Sequence, residues 1–226
     1  MNLVTSFFQK LGPEILNRTY EHIYLVFFAM LLATILALSV GIYLTRCRWP
    51  KLISVIMGTA SAVQTVPSLA LIAFIVVIFA FIKLPTIGTV PALVALVLYA
   101  LLPILRNTYT GIRQVNTSII EVATGMGMKP YQILFLVELP LSLPVIMAGI
   151  RISTVWTIGV ATLCGLIGAG GLGDLIIKGL RSMQPDYLLA GTLPAAVLAL
   201  VFDWVLGFIE KWLTPEGLRV DTESKV

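Results

Sequence analysis

Residues 23–45 read IYLVFFAMLLATILALSVGIYLT, 23 residues without a charge, and are followed at once by Arg46, Arg48 and Lys51, with Trp49 among them. An α-helix needs about 20 apolar residues to cross the hydrocarbon core of a bilayer, and basic and aromatic residues mark where such a helix leaves it. This stretch is therefore a membrane span. Working outward, residues 52–82 are again uncharged. As a helix they would measure about 46 Å, too long for one upright crossing. They are too short for two crossings and a turn. Pro67 lies in their middle behind the polar Ser61, Gln64 and Thr65, which predicts one span broken or kinked at the proline. Residues 84–105, 143–167 and 187–212 supply three further spans. The reading is an all-α membrane protein with five transmembrane helices and its termini on opposite sides.

Composition agrees. Of 226 residues, 58% are hydrophobic and 12% charged, and the mean hydropathy is +1.00. A soluble domain carries about 25% charged residues, so a water-exposed globule would show large apolar patches. Disorder is excluded because it requires low hydrophobicity. The net charge of +4 reads as basic cytoplasmic loops rather than a nucleic-acid surface. Placing the loop after span one inside puts nine Lys and Arg within and five without, which predicts N-terminus out and C-terminus in. The chain then divides into an extracytoplasmic segment 1–21, a transmembrane domain 22–213 that includes a cytoplasmic loop 106–140, and a cytoplasmic tail 214–226. Residues 1–21 carry Glu14 and Glu21 and do not read as a cleavable signal.

The loop 106–138 is the one long connection between spans. Ser118 and Glu121 have capping-box spacing, so a short helix is expected to start at Ser118. Gly125 and Gly127 should end it, and residues 131–139 should form a second helix closed by Pro140.

Glu121-Val122-Ala123, three residues, Gly127, nine residues, Val137, one residue, Leu139-Pro140 resembles the EAA loop of binding-protein-dependent ABC importer permeases. Val122 and Val137 replace the Ala and Ile of the family pattern and keep its apolar character. The resemblance implies a type I ABC importer permease fold, a homo- or heterodimer of permease chains, two cytoplasmic ATPase subunits and a separate extracytoplasmic solute-binding protein. It implies location in a bacterial inner membrane. It also implies that Glu121, Ala123, Gly127, Leu139 and Pro140 form the ATPase-coupling segment, with Ala123 allowing close approach and Gly127 making a corner. The run 64–70 (QTVPSLA) and the glycine-rich run 168–173 (GAGGLG) are similar to the osmoprotectant branch, which takes up glycine betaine, carnitine and choline. A methionine-type permease shares the glycine-rich run and stays open, as do a secondary transporter and a membrane assembly protein.

The remaining chemistry is sparse. GAGGLG matches GxGxxG formally, but it follows a membrane span and not a strand, so no dinucleotide site is read. There is no P-loop, no nucleophile–base pair and no set of ligands with metal spacing. The chain is therefore not expected to be an enzyme or to hold a cofactor or metal. Arg151 and Asp203 are the two charges lying well inside spans, away from their ends. They lie at similar depth and are candidates for an ion pair. Ser61, Gln64, Thr65, Pro67 and Ser68 at the broken span, with Trp156 beside Thr157, are candidates to line the translocation path. His22, between Tyr20 and Tyr24, is expected to be an interfacial anchor.

Overall fold

The computed structural model of the chain describes residues 3–214. Among them every regular element is helical: α1 Leu3–Arg46, α2 Pro50–Thr65, α3 Ser68–Phe81, α4 Thr89–Arg113, α5 Thr117–Gly125 and α6 Pro130–Ile133. A π turn at Leu134–Glu138 leads into α7 Leu139–Ala161, and a 3₁₀ turn at Thr162–Ile167 into α8 Leu172–Ser182 and α9 Pro185–Leu213. The tail 214–226 lies outside the described residues except for Thr214.

Four helical stretches are long and apolar enough to cross a membrane: Leu11–Arg46, Thr89–Arg113, Pro130–Ile167 and Pro185–Leu213. The pair α2–α3 is the fifth if counted as one span. The break falls at Pro67, as the missing N–H and ring of proline require. It is far more than a kink, because the two segments turn through 107°. At that angle their combined end-to-end reach is only about 27 Å. The Tyr99 hydroxyl on α4 donates to the freed Val66 carbonyl at 3.1 Å and holds the apex.

Residues 1–21 lie, as far as the chain is described, at the start of the same long helix as the first span. From Leu3 onward they continue α1 without interruption, through Pro13. α4 likewise runs on to Arg113, so the connection to the next span is shorter than the charge pattern implied.

Small residues set the core. Ala29, Ala33 and Ala37 on α1 are completely buried, and Gly41 continues the same four-residue spacing. A side chain at Gly41 would come within 2.7 Å of Thr108 on α4. This is the small-xxx-small geometry that lets membrane helices approach closely. On the other side of α4, a Cβ at Gly149 of α7 would sit 2.8 Å from the Pro103 carbonyl oxygen. Buried Ser153 of α7 donates to the Ala100 carbonyl oxygen at 2.9 Å. α4 is thus clamped between α1 and α7.

Candidate functional site

The segment from Thr117 to Pro140 lies at the end of the bundle where α1 finishes, hereafter the loop end. Its first helix is capped two residues earlier than the capping-box spacing suggests. Asn116 is the cap, and its side chain accepts from the Ser118 N–H at 2.9 Å. Asparagine two residues upstream pre-empts Ser118 because its carbonyl reaches the free N–H first. Glu121 is consequently not a capping residue, and its side chain is exposed. The helix ends in a Schellman motif: Met128 N–H donates to the Ala123 carbonyl at 3.1 Å and Gly127 N–H to the Thr124 carbonyl at 2.9 Å. Gly127 has φ +81° and open space where a Cβ would stand, so backbone conformation alone requires glycine there. Ala123 is only 2% exposed, so its methyl group faces the chain itself rather than the outside. The exposed apolar groups are Ile119, Val122 and Met126, at i, i+3 and i+7, followed by Tyr131, Phe135 and Leu136.

Pro140 does not close the second helix. It occupies the first turn of α7, and the chain widens into a π turn just before it. There Leu139 N–H reaches back five residues to the Leu134 carbonyl, and this wider turn accommodates a helix that contains Pro140 and Pro144. The π turn also buries Glu138, which is 4% exposed. Glu138 forms a two-pronged ion pair with Arg46 at the end of α1, and the Nη1–Oε1 contact is 3.1 Å. Neither residue stood out in the sequence. Arg46 counted only as a topology-setting charge, and Glu138 fills the unspecified position before Leu139-Pro140. A carboxylate inside an otherwise apolar run was the available signal.

Midway along the bundle, Arg151 on α7 meets Asp203 on α9 through Nε–Oδ1 at 3.0 Å and Nη2–Oδ2 at 3.1 Å. Its Nη1 also meets Glu210 at 2.9 Å. Glu210, not singled out in the sequence, lies seven residues, two turns, beyond Asp203 on the same face of α9. The three side chains are 33%, 44% and 23% exposed. Arg151, Asp203 and Trp156 line one cleft of about 450 Å³. Trp156 is 59% exposed, whereas its neighbour Thr157 is fully buried, so the two do not act on one surface.

The polar residues at the break point another way. Val55, Ile56, Ala60 and Val63 line the side of α2 towards α1 and α4. Helical spacing puts Ser61 and Thr65 on the opposite side, with Gln64 at the edge. Pro67 is exposed and Ser68 half-buried at the start of α3.

At the far end of the bundle the glycine-rich run 168–171 turns between spans, with φ +69°, +82° and +79° at Gly168, Gly170 and Gly171. It opens α8, an amphipathic helix not anticipated from the sequence. Gly171 N–H donates to Glu21 at 2.9 Å, Arg18 bridges Glu21 and Asp174 at 2.8 and 3.1 Å, and Lys178 reaches Glu14 at 3.2 Å. Burial raises the Asp174 carboxyl above its usual range, against the pull of Arg18. His22 is no interfacial anchor. It is 1% exposed, packs on Gly171, and its Nε2 lies 3.2 Å from the Ile158 carbonyl. The tight turn at Gly171 draws it inward, while Tyr20 and Tyr24 remain exposed.

These features define a polytopic helical protein with a structured loop at one end and an ion cluster between its spans. Residues 33–215 match the family of binding-protein-dependent transport system inner membrane components. The chain belongs to that family: it is a multi-pass inner-membrane permease subunit of an ABC importer, which works with separate ATPase and solute-binding subunits. It is 48% identical over 219 residues to a choline transport system permease protein of Bacillus subtilis (strain 168), covering 97% of each chain. It is 47% identical, with the same coverage, to a glycine betaine/carnitine/choline transport system permease of that organism. A carnitine transport permease of Listeria monocytogenes is 46% identical over 99% of each. The fold matches a permease chain from inward-facing structures of a methionine ABC transporter, with a TM-score of 0.78 and 22% identity over 89% of this chain and 97% of that one. It also matches a chain of an amino acid ABC transporter, with a TM-score of 0.77 and 14% identity over 94% and 99%.

Proposed function

We propose that this permease imports small quaternary ammonium osmoprotectants of the choline, betaine and carnitine type. The observation that carries this reading is end-to-end similarity, at 46–48% identity, to three permeases named for those substrates. Likeness to the methionine transporter is confined to the fold at 22% identity.

Two such chains form the path between them, with N-termini outside and C-termini inside. The loop end then faces the cytoplasm, and the ATPases dock on the segment from Glu121 to Pro140. Two features support this. The apolar strip Ile119, Val122, Met126 is left uncovered in a segment whose corner is set at Gly127 and whose far end is held by the Arg46–Glu138 pair. A surface of that kind suits a protein partner. Glu121 lies on the opposite side of α5 and is free to pair with a basic ATPase residue.

Arg151 and Asp203 lie about 15–18 Å along their helices from the loop end, and Glu210, about 5 Å from it, extends the cluster towards that end. Partly exposed charges at that depth cannot face hydrocarbon cheaply. The α7–α9 face therefore lines the aqueous path, and the cluster latches the two spans. Trp156 offers a cation–π surface in the same cleft. Ser61, Gln64, Thr65 and Ser68 line the path where α2 and α3 part.

The test is uptake by proteoliposomes holding the permease, its ATPase and its binding protein. ATP-dependent accumulation of choline, glycine betaine or carnitine is expected. Accumulation of methionine, with none of these, would overturn the substrate assignment.

A further inference from the structure

A crevice lies where α2 meets α1 and α4. It has a volume of about 330 Å³ and is lined by α1 (Ala37, Val40), α2 (Val55, Ala60) and α4 (Leu98, Leu105), among others. Its lining is almost wholly apolar. The one hydroxyl, that of Thr59, is satisfied within α2 by the Val55 carbonyl at 2.8 Å. No residue of α2 is fully buried; Ile56, Ala60 and Val63 pack only partly against the core, and Val55 at the edge of the crevice is 62% exposed. Beyond the crevice the chain turns at Pro67, where α2 meets α3 at 107°.

In a bilayer such an opening does not stay empty. Hydrocarbon is the surrounding solvent, and an unfilled apolar gap forfeits the dispersion contacts of everything that lines it. The lining runs about 12 Å along α2, from Val55 to Val63, which suits a stretch of one acyl chain.

The mouth at the loop end has its own chemistry. Lys51 lies one turn before Val55 on the same face of α2, and Arg48 and Trp49 precede it on the connection from α1. All three side chains are exposed. Arg46, just before them, is engaged by Glu138. No Asp or Glu occurs anywhere between Glu21 and Glu121, and among the described residues no acid bridges Arg48 or Lys51. Two uncompensated cations and an interfacial tryptophan thus flank the entrance to an acyl-sized groove.

We infer that this crevice is a binding site for one phospholipid, with an acyl chain between α1, α2 and α4 and the headgroup phosphate held by Arg48 and Lys51. The assignment is independent of the substrate. An anionic headgroup is preferred, because each basic side chain near an anionic lipid surface is worth about fivefold in affinity.

The experiment uses the purified permease–ATPase complex. Native mass spectrometry after detergent exchange counts retained lipids, and titration compares phosphatidylglycerol with phosphatidylcholine. The wild-type complex is expected to retain one phospholipid per permease chain. Ala60→Trp fills the crevice and should abolish retention while the complex still assembles. Arg48→Gln with Lys51→Gln should retain lipid but lose about twenty-five-fold of the preference for phosphatidylglycerol. Absence of retained lipid in the wild type, or retention undiminished by Ala60→Trp, would overturn the site. So would assembly of the two permease chains failing in Ala60→Trp, since a protein chain would then occupy the crevice. An unchanged headgroup preference in the double variant would overturn the role of Arg48 and Lys51.

Discussion

The guanidinium of Arg46, the last residue of α1, is paired with the carboxylate of Glu138, one residue before Leu139-Pro140. The pair ties the first span to the point where the coupling segment becomes α7. Its two sides are unequal: the Glu138 side chain is 5% exposed and that of Arg46 45%. Removing Arg46 strands a buried carboxylate, whereas removing Glu138 frees an arginine that water can reach. Arg46→Ala should therefore cost about 3 kcal/mol and Glu138→Gln about 1 kcal/mol. Thermal unfolding of the purified permease in detergent would rank them, and the reverse order would contradict the assigned burial.

In the ion cluster, Arg151 serves two carboxylates. Asp203→Asn leaves the Arg151–Glu210 contact, and Glu210→Gln leaves the Arg151–Asp203 contact, so each single change should lower uptake less than about threefold, a cost under 1 kcal/mol. Arg151→Met leaves two uncompensated acids between spans and should abolish uptake. The double Asp203→Asn, Glu210→Gln change should be nearly as severe. If Asp203→Asn alone abolished uptake, Arg151 and Asp203 would be an exclusive pair.

The two glycines closing α5 should respond in opposite directions. Gly127 is left-handed, and Gly127→Ala should loosen the corner by about 1 kcal/mol. Gly125 is helical with space for a Cβ, and Gly125→Ala should strengthen α5 by up to about 1 kcal/mol. Amide hydrogen exchange in residues 119–124 reads both. Faster exchange in Gly125→Ala would show that α5 is not the helix described.

Tyr99→Phe removes the hydroxyl that meets the Val66 carbonyl at the apex of the broken span. A loss of about 1 kcal/mol is expected, together with faster exchange in α2. Unchanged stability would mean that water or lipid headgroups satisfy the apex equally well.

The sequence by itself determined where the membrane helices are. Hydrocarbon tolerates few charges, so each span must be written out as an uninterrupted apolar run, as in residues 23–45, and its ends marked by Arg46, Trp49 and Lys51. The break at Pro67 was equally legible, because a missing N–H is a property of one residue. So was the similar depth of Arg151 and Asp203, which is a count of residues from helix ends. Partners at a distance were decided only by the tertiary structure. Glu210 joins Arg151, Glu138 finds Arg46, and His22 is drawn into the core beneath Gly171 because particular helices pack at particular rotations. The 107° turn, the helix α8 and the π turn before Pro140 belong to the same class. Each is set by how several helices share one space, and no short stretch of sequence encodes that sharing.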